Sequence, residues 1–356
     1  MNENQKINVG FIGCGRIADL HALGYRNNSK ARLYAVCDID EQLARARQQT
    51  WGAVRCYTDF QHMLDDPNLD AVEILTPNPL HEQPVLAAAR AGKHMAVQKP
   101  LAVSLDSADR MLRAAGESGR VLRLTENYVH YPPIVLAGKL IQQGEIGDPL
   151  SIRIKFIGGG RGGWAVPPDS WKWRYAELHA GRGMQTFDHG HHMWSTAWYF
   201  LGPVRRVIAW IDHLDGVIDC PAEVMWQHAE ACRYGSCEYV CAEQMYVPSK
   251  YYSADEWIEI TGSRGIVQVN QCTGNISDRA PVSLYRDGNW RHYTDVDSDW
   301  SAGFVAATEN FIAAIRGEAE PLLDGCQGRE ILKIDLAVQK SAAEQAPIRL
   351  EDLETV

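Results

Sequence analysis

No run of lysine or arginine occurs anywhere in the chain, and acidic residues outnumber basic ones, 45 to 35, for a formal net charge of −10. Binding to a phosphate backbone rests on clustered cations that displace counterions, so nucleic acid is not an expected partner. Long apolar runs are missing too. The segment Met1–Val9 is polar and leads straight into a short apolar stretch, without the charged, apolar and small-residue parts of an export signal. Neither export nor a membrane partner is expected. The nine cysteines are an odd count, and Cys14, Cys37, Cys56 and Cys272 sit singly in apolar runs, as small buried side chains do in a reducing compartment. A cytoplasmic location fits them. Cys232, Cys237 and Cys241, with Cys220 upstream, form the one dense group, but their spacing is not that of a metal-binding Cys-x-x-Cys pair, so strand-core cysteines are expected there.

A chain of 356 residues exceeds the size at which one core usually stops growing, so two domains are expected. Up to residue 125, β-rich runs (Ile7–Ile12, Arg32–Cys37, Ala71–Leu75, His94–Val97, Val121–Leu124) alternate with helical patterns (Ile17–Gly24, Glu41–Gln48, Pro84–Ala91, Ser107–Ala115). That order predicts a doubly wound Rossmann domain over 1–125. The texture then changes. A helix (Pro133–Gln143), a strand (Leu150–Ile157), a Gly- and Trp-rich stretch (Gly158–Trp173) and a helix at Asp188–Phe200 lead into strands at Val204–Ile211, Cys237–Val247, Trp257–Thr261, Ile266–Asn270 and Val282–Tyr285. Arg286-Asp-Gly-Asn289 carries a hairpin signal before Trp290–Tyr293. Strands joined by turns predict an α+β domain over 126–356 with a large, mostly antiparallel open sheet. Helices at Phe304–Arg316 and Arg329–Glu344 close the chain, the last expected to pack back toward the first domain.

Gly13-x-Gly15-x-x-Ala18 falls where the first strand meets the first helix, with Cys14, Arg16 and Ile17 between. Gly13 permits the tight turn, Gly15 lets the backbone approach a pyrophosphate, and Ala18 allows close helix–strand packing. A second strand ends about twenty residues on at Asp38, where a carboxylate can bond a ribose hydroxyl. Together they predict a bound NAD.

Lys99, in Val97-Gln98-Lys99-Pro100, stands at the C-terminal end of a strand, the edge where open α/β sheets bind ligands. Asp188-His189-Gly190-His191-His192 opens a helical pattern, which puts Asp188 and His192 on one face. A carboxylate and an imidazole so placed suit proton transfer near neutral pH. The three histidines lack the Cys or carboxylate spacing of a full ligand set, so no metal is assigned.

These residues resemble the glucose-fructose oxidoreductase, inositol dehydrogenase and rhizopine-catabolism (Gfo/Idh/MocA) family over nearly the whole chain. The likeness runs through the Gly13/Gly15/Ala18 turn, Thr76-Pro77-Asn78-Pro79-Leu80-His81, Lys99-Pro100, Gly181 to His192, the Gly262-Ser-Arg-Gly265 turn and the region Phe311–Pro321. It implies that Lys99, Asp188 and His192 surround the reacting carbinol, and that Thr76, Pro77, Asn78, His81, Gln98 and Lys99 join Gly13, Gly15, Arg16, Ile17, Ala18 and Asp38 at the cofactor. His192 is expected as general acid/base, Lys99 as donor to the developing alkoxide, and Asp188 as the orienting group; Lys99 and His192 could exchange roles. Two departures stand out. Gln98 replaces the family's usual Glu and removes a charge beside Lys99. Trp194 replaces a common Asp, so a more aromatic substrate pocket is expected.

Trp164, Trp171, Trp173 and Tyr175, with Tyr128, His130 and Tyr131, offer aromatic faces suited to the C–H faces of a pyranose. Arg161, Lys172, Arg174 and Arg182 add local positive charge that could receive a carboxylate or sulfonate. Expected substrate contacts are Tyr128, His130, Tyr131, Arg161, Trp164, Trp173, Arg174 and His191. The expected function is hydride transfer between the nicotinamide and a ring CH–OH of a pyranose sugar or glycoside. One alternative is a redox-neutral NAD-dependent glycosidase, with Tyr131 or His130 as its second base. Others are an inositol dehydrogenase, a non-catalytic dinucleotide-binding regulator and a metal-dependent hydrolase on the histidines. An open sheet needs covering, so a homodimer or homotetramer is expected.

Asp38 repels a 2′-phosphate, and no Arg follows it in Ile39-Asp40-Glu41. Turnover measured with both cofactors is therefore expected to favour NAD; equal use of NADP would remove Asp38 from the cofactor site.

Overall fold

Side-chain periodicity in the first third of the chain resolves into a layered α/β unit because its strands carry apolar residues on both faces and need helices on each side. The computed structural model describes residues 6–164, 168–216 and 218–353. The leading residues 1–5, read above for an export signal, and 165–167 of the Gly- and Trp-rich stretch lie outside the described residues. Two compact units emerge, one comprising Met1–Asn127 with Gly303–Leu332, the other Tyr128–Ala302 with Lys333–Val356. Residues 303–332, which the sequence reading kept in the second domain, thus group with the first.

In the first unit the elements run β1 (Ile7–Ile12), α1 (Ala18–Leu23), β2 (Ala31–Cys37), α2 (Glu41–Trp51), β3 (Arg55–Tyr57), α3 (Phe60–Leu64), β4 (Ala71–Ile74), α4 (Glu82–Arg90), β5 (His94–Gln98), α5 (Leu105–Ser118) and β6 (Leu122–Thr125). The strand order β3-β2-β1-β4-β5-β6, parallel throughout, is the doubly wound arrangement expected. β3 and α3 escaped the sequence reading because three and five residues are too few to show a period. Local signals fix several boundaries. Asp40 caps α2 by accepting from the Gln42 and Leu43 N–H groups, and Gly52 ends it in the left-handed region. The core joins Ile7, Val9 and Phe11 of β1 and Val36 of β2 to Phe311, Ile312 and Ile315 from the late segment.

The second unit holds α6 (Pro132–Gln142), β7 (Pro149–Arg161), α7 (Pro168–His179), a π-helical turn (Met184–His189), α8 (Gly190–Leu201), β8 (Val204–Ile211), β9 (Ala222–His228), β10 (Tyr234–Tyr246), β11 (Ala254–Gly262), β12 (Gly265–Val269), β13 (Val282–Arg286) and β14 (Asn289–Tyr293). α9 (Ser301–Ile315), α10 (Gly325–Glu344) and β15 (Ile348–Arg349) complete the chain. Among the described residues the sheet order is β14-β13-β12-β11-β7-β10-β9-β8-β15, antiparallel except where β10 meets β7. Three elements went unread in the sequence, β15 among them because two residues show no period. α7 hides in the Trp-rich stretch, and β9 alternates cleanly, with Ala222, Val224, Trp226 and His228 inward, but ends on a polar inward residue. No helix of the described residues is long and apolar enough to cross a membrane.

Trp226 packs edge-on against Trp194 at 5.6 Å and donates its indole N–H to His228 Nε2 at 2.9 Å. Gly235 lies directly across the strand pair from it, and a Cβ there would run into the indole. Gly235→Ala is accordingly expected to lower unfolding stability by about 1–3 kcal/mol, the usual scale of overpacking, in urea denaturation.

Candidate active site

Gly13 adopts φ +100°, and a Cβ there would come within 2.7 Å of the Leu75 carbonyl oxygen, so only glycine fits the turn. Its N–H donates to the Cys37 carbonyl at 2.8 Å, tying the loop to the end of β2. Gly15 differs: a Cβ on it would meet no protein atom within 4 Å. The glycine there keeps room in front of the backbone for something other than protein. Asp38 Oδ2 accepts the Cys14 N–H at 2.8 Å and Oδ1 accepts the Asp40 N–H at 3.0 Å. A carboxylate has about four acceptor sites, so capacity remains for ribose hydroxyls. Thr76 Oγ1 is buried with no hydrogen-bond partner among the described residues. An open glycine cradle, an acid at the second strand end and an orphaned hydroxyl fit a dinucleotide. Arg16 is exposed, Ile17 and Pro77 are half-buried, and Ala18 is fully buried against the β1 core.

Other residues expected at the cofactor are occupied by the protein itself. His81 is fully buried, with Nδ1 3.0 Å from the Pro100 oxygen and Nε2 2.9 Å from the Thr76 oxygen, so it clamps the Thr76 loop to the turn after Lys99. Asn78 is buried at the start of a short 3₁₀ turn. Gln98 ends β5; its Oε1 accepts the Lys99 N–H at 2.8 Å and its Nε2 lies 3.2 Å from His21 Nε2. Behind it, His21 Nδ1 lies 2.6 Å from Glu73 Oε2, and the Tyr25 hydroxyl donates to the other Glu73 oxygen. Burial alone would raise the Glu73 carboxyl, but contact with His21, the Tyr25 hydroxyl and the Arg123 guanidinium hold it below its ordinary value. The peptide between Lys99 and Pro100 is cis.

In the second unit, the histidine cluster is set by a π-helical turn, where the Asp188 N–H reaches back to the Gly183 oxygen at 3.0 Å. Asp219 holds the start of that turn, accepting from the Gln185 and Thr186 N–H groups and from the Thr186 hydroxyl. His192 lies in the first turn of α8, its ring 4.5 Å from that of Tyr128 and tilted by 31°. Tyr128 is buried, and its hydroxyl lies 2.7 Å from Thr273 Oγ1. Thr273 in turn donates its N–H to Glu256 Oε2 at 3.0 Å, and Glu256 Oε1 lies 3.0 Å from His189 Nε2. Glu256 is completely buried; burial would raise its carboxyl, and His189 with the Thr273 donors brings it below its ordinary value. Glu256, Thr273 and Asp255, which hold this network, went unnoticed in the sequence. Asp255-Glu256 lies just ahead of the strand read at Trp257–Thr261, and no spacing links it to 273.

The expected substrate contacts are spread over several parts of the second unit. Tyr131 is fully buried and gives its hydroxyl to the Ser298 oxygen at 3.0 Å. His191 is fully buried, with Nδ1 2.5 Å from Asp335 Oδ2. Both are packing residues as placed. His130 is buried in a 3₁₀ turn beside Tyr128. Arg161 is exposed and donates to the Gln244 oxygen, while Arg174 stacks over Trp173 at 4.4 Å within α7. Trp164 joins an aromatic group with Tyr251 and Tyr252, which continues through Trp300 to Tyr128. Trp194 is 1% exposed and packs between Trp226 and Tyr239, so its place is the core, not a pocket. Cys232 is exposed in the β9–β10 turn, whereas Cys237 is buried, and no disulfide forms among the nine. Cys14, Cys37 and Cys272 are buried, but Cys56 only partly. Among the described residues no three His, Cys, Asp or Glu side chains are arranged to hold a metal.

A parallel sheet in doubly wound order, with a glycine turn and an acid at adjacent strand ends, defines a dinucleotide-binding oxidoreductase. Sequence profiles agree. Residues 7–126 match the GFO_IDH_MocA oxidoreductase family, NAD-binding Rossmann fold, and residues 138–350 match its C-terminal alpha/beta domain. The chain belongs to the Gfo/Idh/MocA oxidoreductase family, and its cofactor is NAD. It is 31% identical over 214 residues to levoglucosan dehydrogenase of Pseudarthrobacter phenanthrenivorans, a stretch covering 58% of this chain and 54% of that enzyme. D-apiose dehydrogenase of Paraburkholderia graminis is 26% identical over 357 residues, 97% of this chain and 90% of the relative. An oxidoreductase from Agrobacterium radiobacter, solved with NAD+, L-tartaric acid and magnesium, shares the fold at TM-score 0.85 and 20% identity, over 98% of this chain and all of that one.

The Asp255 carboxyl supports the Thr273 loop. Oδ1 accepts the N–H groups of Glu256, Cys272 and Gly274, and Oδ2 accepts that of Ile276. Burial and the neighbouring Glu256 push its carboxyl up to about 6, against the pull of the Cys272, Ile276 and Glu256 N–H groups. Asp255→Asn would turn an amide NH2 toward one of these N–H groups. Stability is expected to fall by about 1–3 kcal/mol, the cost of a buried unsatisfied donor, read by thermal unfolding.

Proposed function

We propose that the protein oxidises a ring CH–OH of a pyranose sugar or glycoside, with Lys99, Asp188 and His192 as its catalytic residues. The observation that carries this reading is the setting of His192: an imidazole in the first turn of α8, stacked on Tyr128, whose hydroxyl is tied through Thr273 to the buried Glu256. A base so braced cannot swing, and proton transfer needs that fixed approach. Sugar-acting relatives support the substrate class, as do Trp164, Tyr251 and Tyr252, half-buried aromatic rings able to take the C–H face of a sugar.

In the forward direction the substrate hydroxyl loses its proton to His192 as the carbinol carbon loses its hydride, leaving a ketone. NAD, when bound, supplies the hydride acceptor. Lys99 donates to the oxygen as negative charge develops there, and its cationic head also suits a ribose hydroxyl. Asp188, half-buried at the end of the π turn, orients the substrate or the imidazole.

Lys99→Ala and His192→Ala are each expected to lower turnover on a pyranose substrate by at least ~10²-fold, the common scale for acid–base groups, while NAD binding by calorimetry persists. A panel of free sugars, glycosides and inositols with NAD supplies the substrate. Turnover of inositols with no pyranose derivative active would overturn the substrate class, and near wild-type rates in either variant would remove that residue.

A further inference from the structure

Gln98 sits between a buried ionic centre and the turn that presents Lys99. On one side lies a group taken almost wholly out of water: His21 is 1% exposed, Glu73 2% and Arg123 1%. Glu73 of β4 receives His21 and the Tyr25 hydroxyl, and Arg123 of β6 faces Glu73 and Tyr25 while donating to the Ala307 oxygen at 2.5 Å. Phe11 and Phe304 close over the His21 ring edge-on, at 6.4 and 5.2 Å. On the other side of Gln98 is the main chain of Lys99.

The hydrogen-bond directions leave one assignment. The Lys99 N–H can only donate, so the Gln98 atom 2.8 Å from it must be the oxygen, and the NH2 must point to His21 Nε2. That nitrogen then accepts, carries no proton, and leaves the imidazole proton on Nδ1, where the Glu73 carboxylate takes it. Every donor in the line meets an acceptor only if His21 is the neutral Nδ1–H tautomer. A carboxylate at 98 could still accept from Lys99, but its second oxygen would face a lone pair on His21. That arrangement closes only when an added proton lies between them, on the carboxyl or on Nε2.

We propose that Gln98 is a positioning residue that anchors the Lys99 main chain to the buried His21–Glu73 pair through an uncharged amide bridge. This rests on the reading of Lys99 as a catalytic residue. The bridge holds the lysine-bearing turn without placing a charge at position 98.

The test uses the full-length protein with 15N-labelled histidine, first without cofactor. His21 Nε2 is expected at a shift typical of an unprotonated ring nitrogen and Nδ1 at that of a protonated one, with His21→Gln giving the assignment. A protonated Nε2 in the wild type near neutral pH overturns the proposal, whatever the enzyme's activity. Two variants then read function. Gln98→Met keeps the volume but cannot bridge, and is expected to lower kcat by ~10-fold with the KM for NAD within about 2-fold. Gln98→Glu needs an added proton between its carboxyl and His21 Nε2 to close the line, and its kcat relative to wild type is expected to fall as pH rises and that proton is lost. Wild-type kcat in Gln98→Met, or a Gln98→Glu to wild-type ratio flat with pH, sinks the bridge. Should Lys99→Ala turn over normally, the functional reading fails instead, and the histidine spectrum still decides the tautomer.

Discussion

A carboxylate removed from water must be met by donors or it will not stay ionised, and Glu256 is where the second unit meets that demand. His189, the Thr273 N–H and the Thr273 hydroxyl are its partners, supplied by the π turn and by the segment after β12. Because three parts of the chain have to converge on one buried group, their relative placement is tightly limited. Tyr128 and His192 inherit that precision through a hydroxyl–hydroxyl bond and a ring stack.

The first unit solves a related problem with a different ending. Glu73 is buried like Glu256, but its line of partners runs outward through His21 and Gln98 to a backbone amide rather than to the side chain proposed as the base. His81 adds a second tie, pinning the same turn to the Thr76 loop through three main-chain oxygens. Lys99 thus projects from backbone fixed at two points. Rigidity here is a property of the main chain.

Much of this was legible in the sequence, for reasons that differ by residue. The Gly13 and Gly15 turn and Asp38 are local: a few contiguous residues and one strand end carry their meaning, and β1 was readable to the residue. Strand alternation likewise exposed most of the second sheet. Contacts between residues far apart in sequence were not legible. Nothing in the order of residues says that Thr273 meets Glu256, that His191 is taken by Asp335, or that Tyr131 is spent on Ser298. The aromatic group was half read, since Trp164 belongs to it but Trp173 pairs with Arg174 in a helix, and Tyr251, Tyr252 and Trp300 come from segments with no pattern of their own. Trp194 was set at the pocket because it stands where the family commonly has Asp, but here it is buried between Trp226 and Tyr239.

The π turn at Met184–His189 changes how this stretch should be counted. One wide turn takes in an extra residue, so the helical phase ahead of it is offset from that of α8 by roughly 100°, one residue's rotation. A wheel drawn as a single α-helix across this turn therefore misplaces the residues that precede Met184 relative to α8. In a related chain that lacks this turn, a residue ahead of it would sit one place off in any gap-free alignment anchored on α8, and a matched letter there would compare two different positions in space.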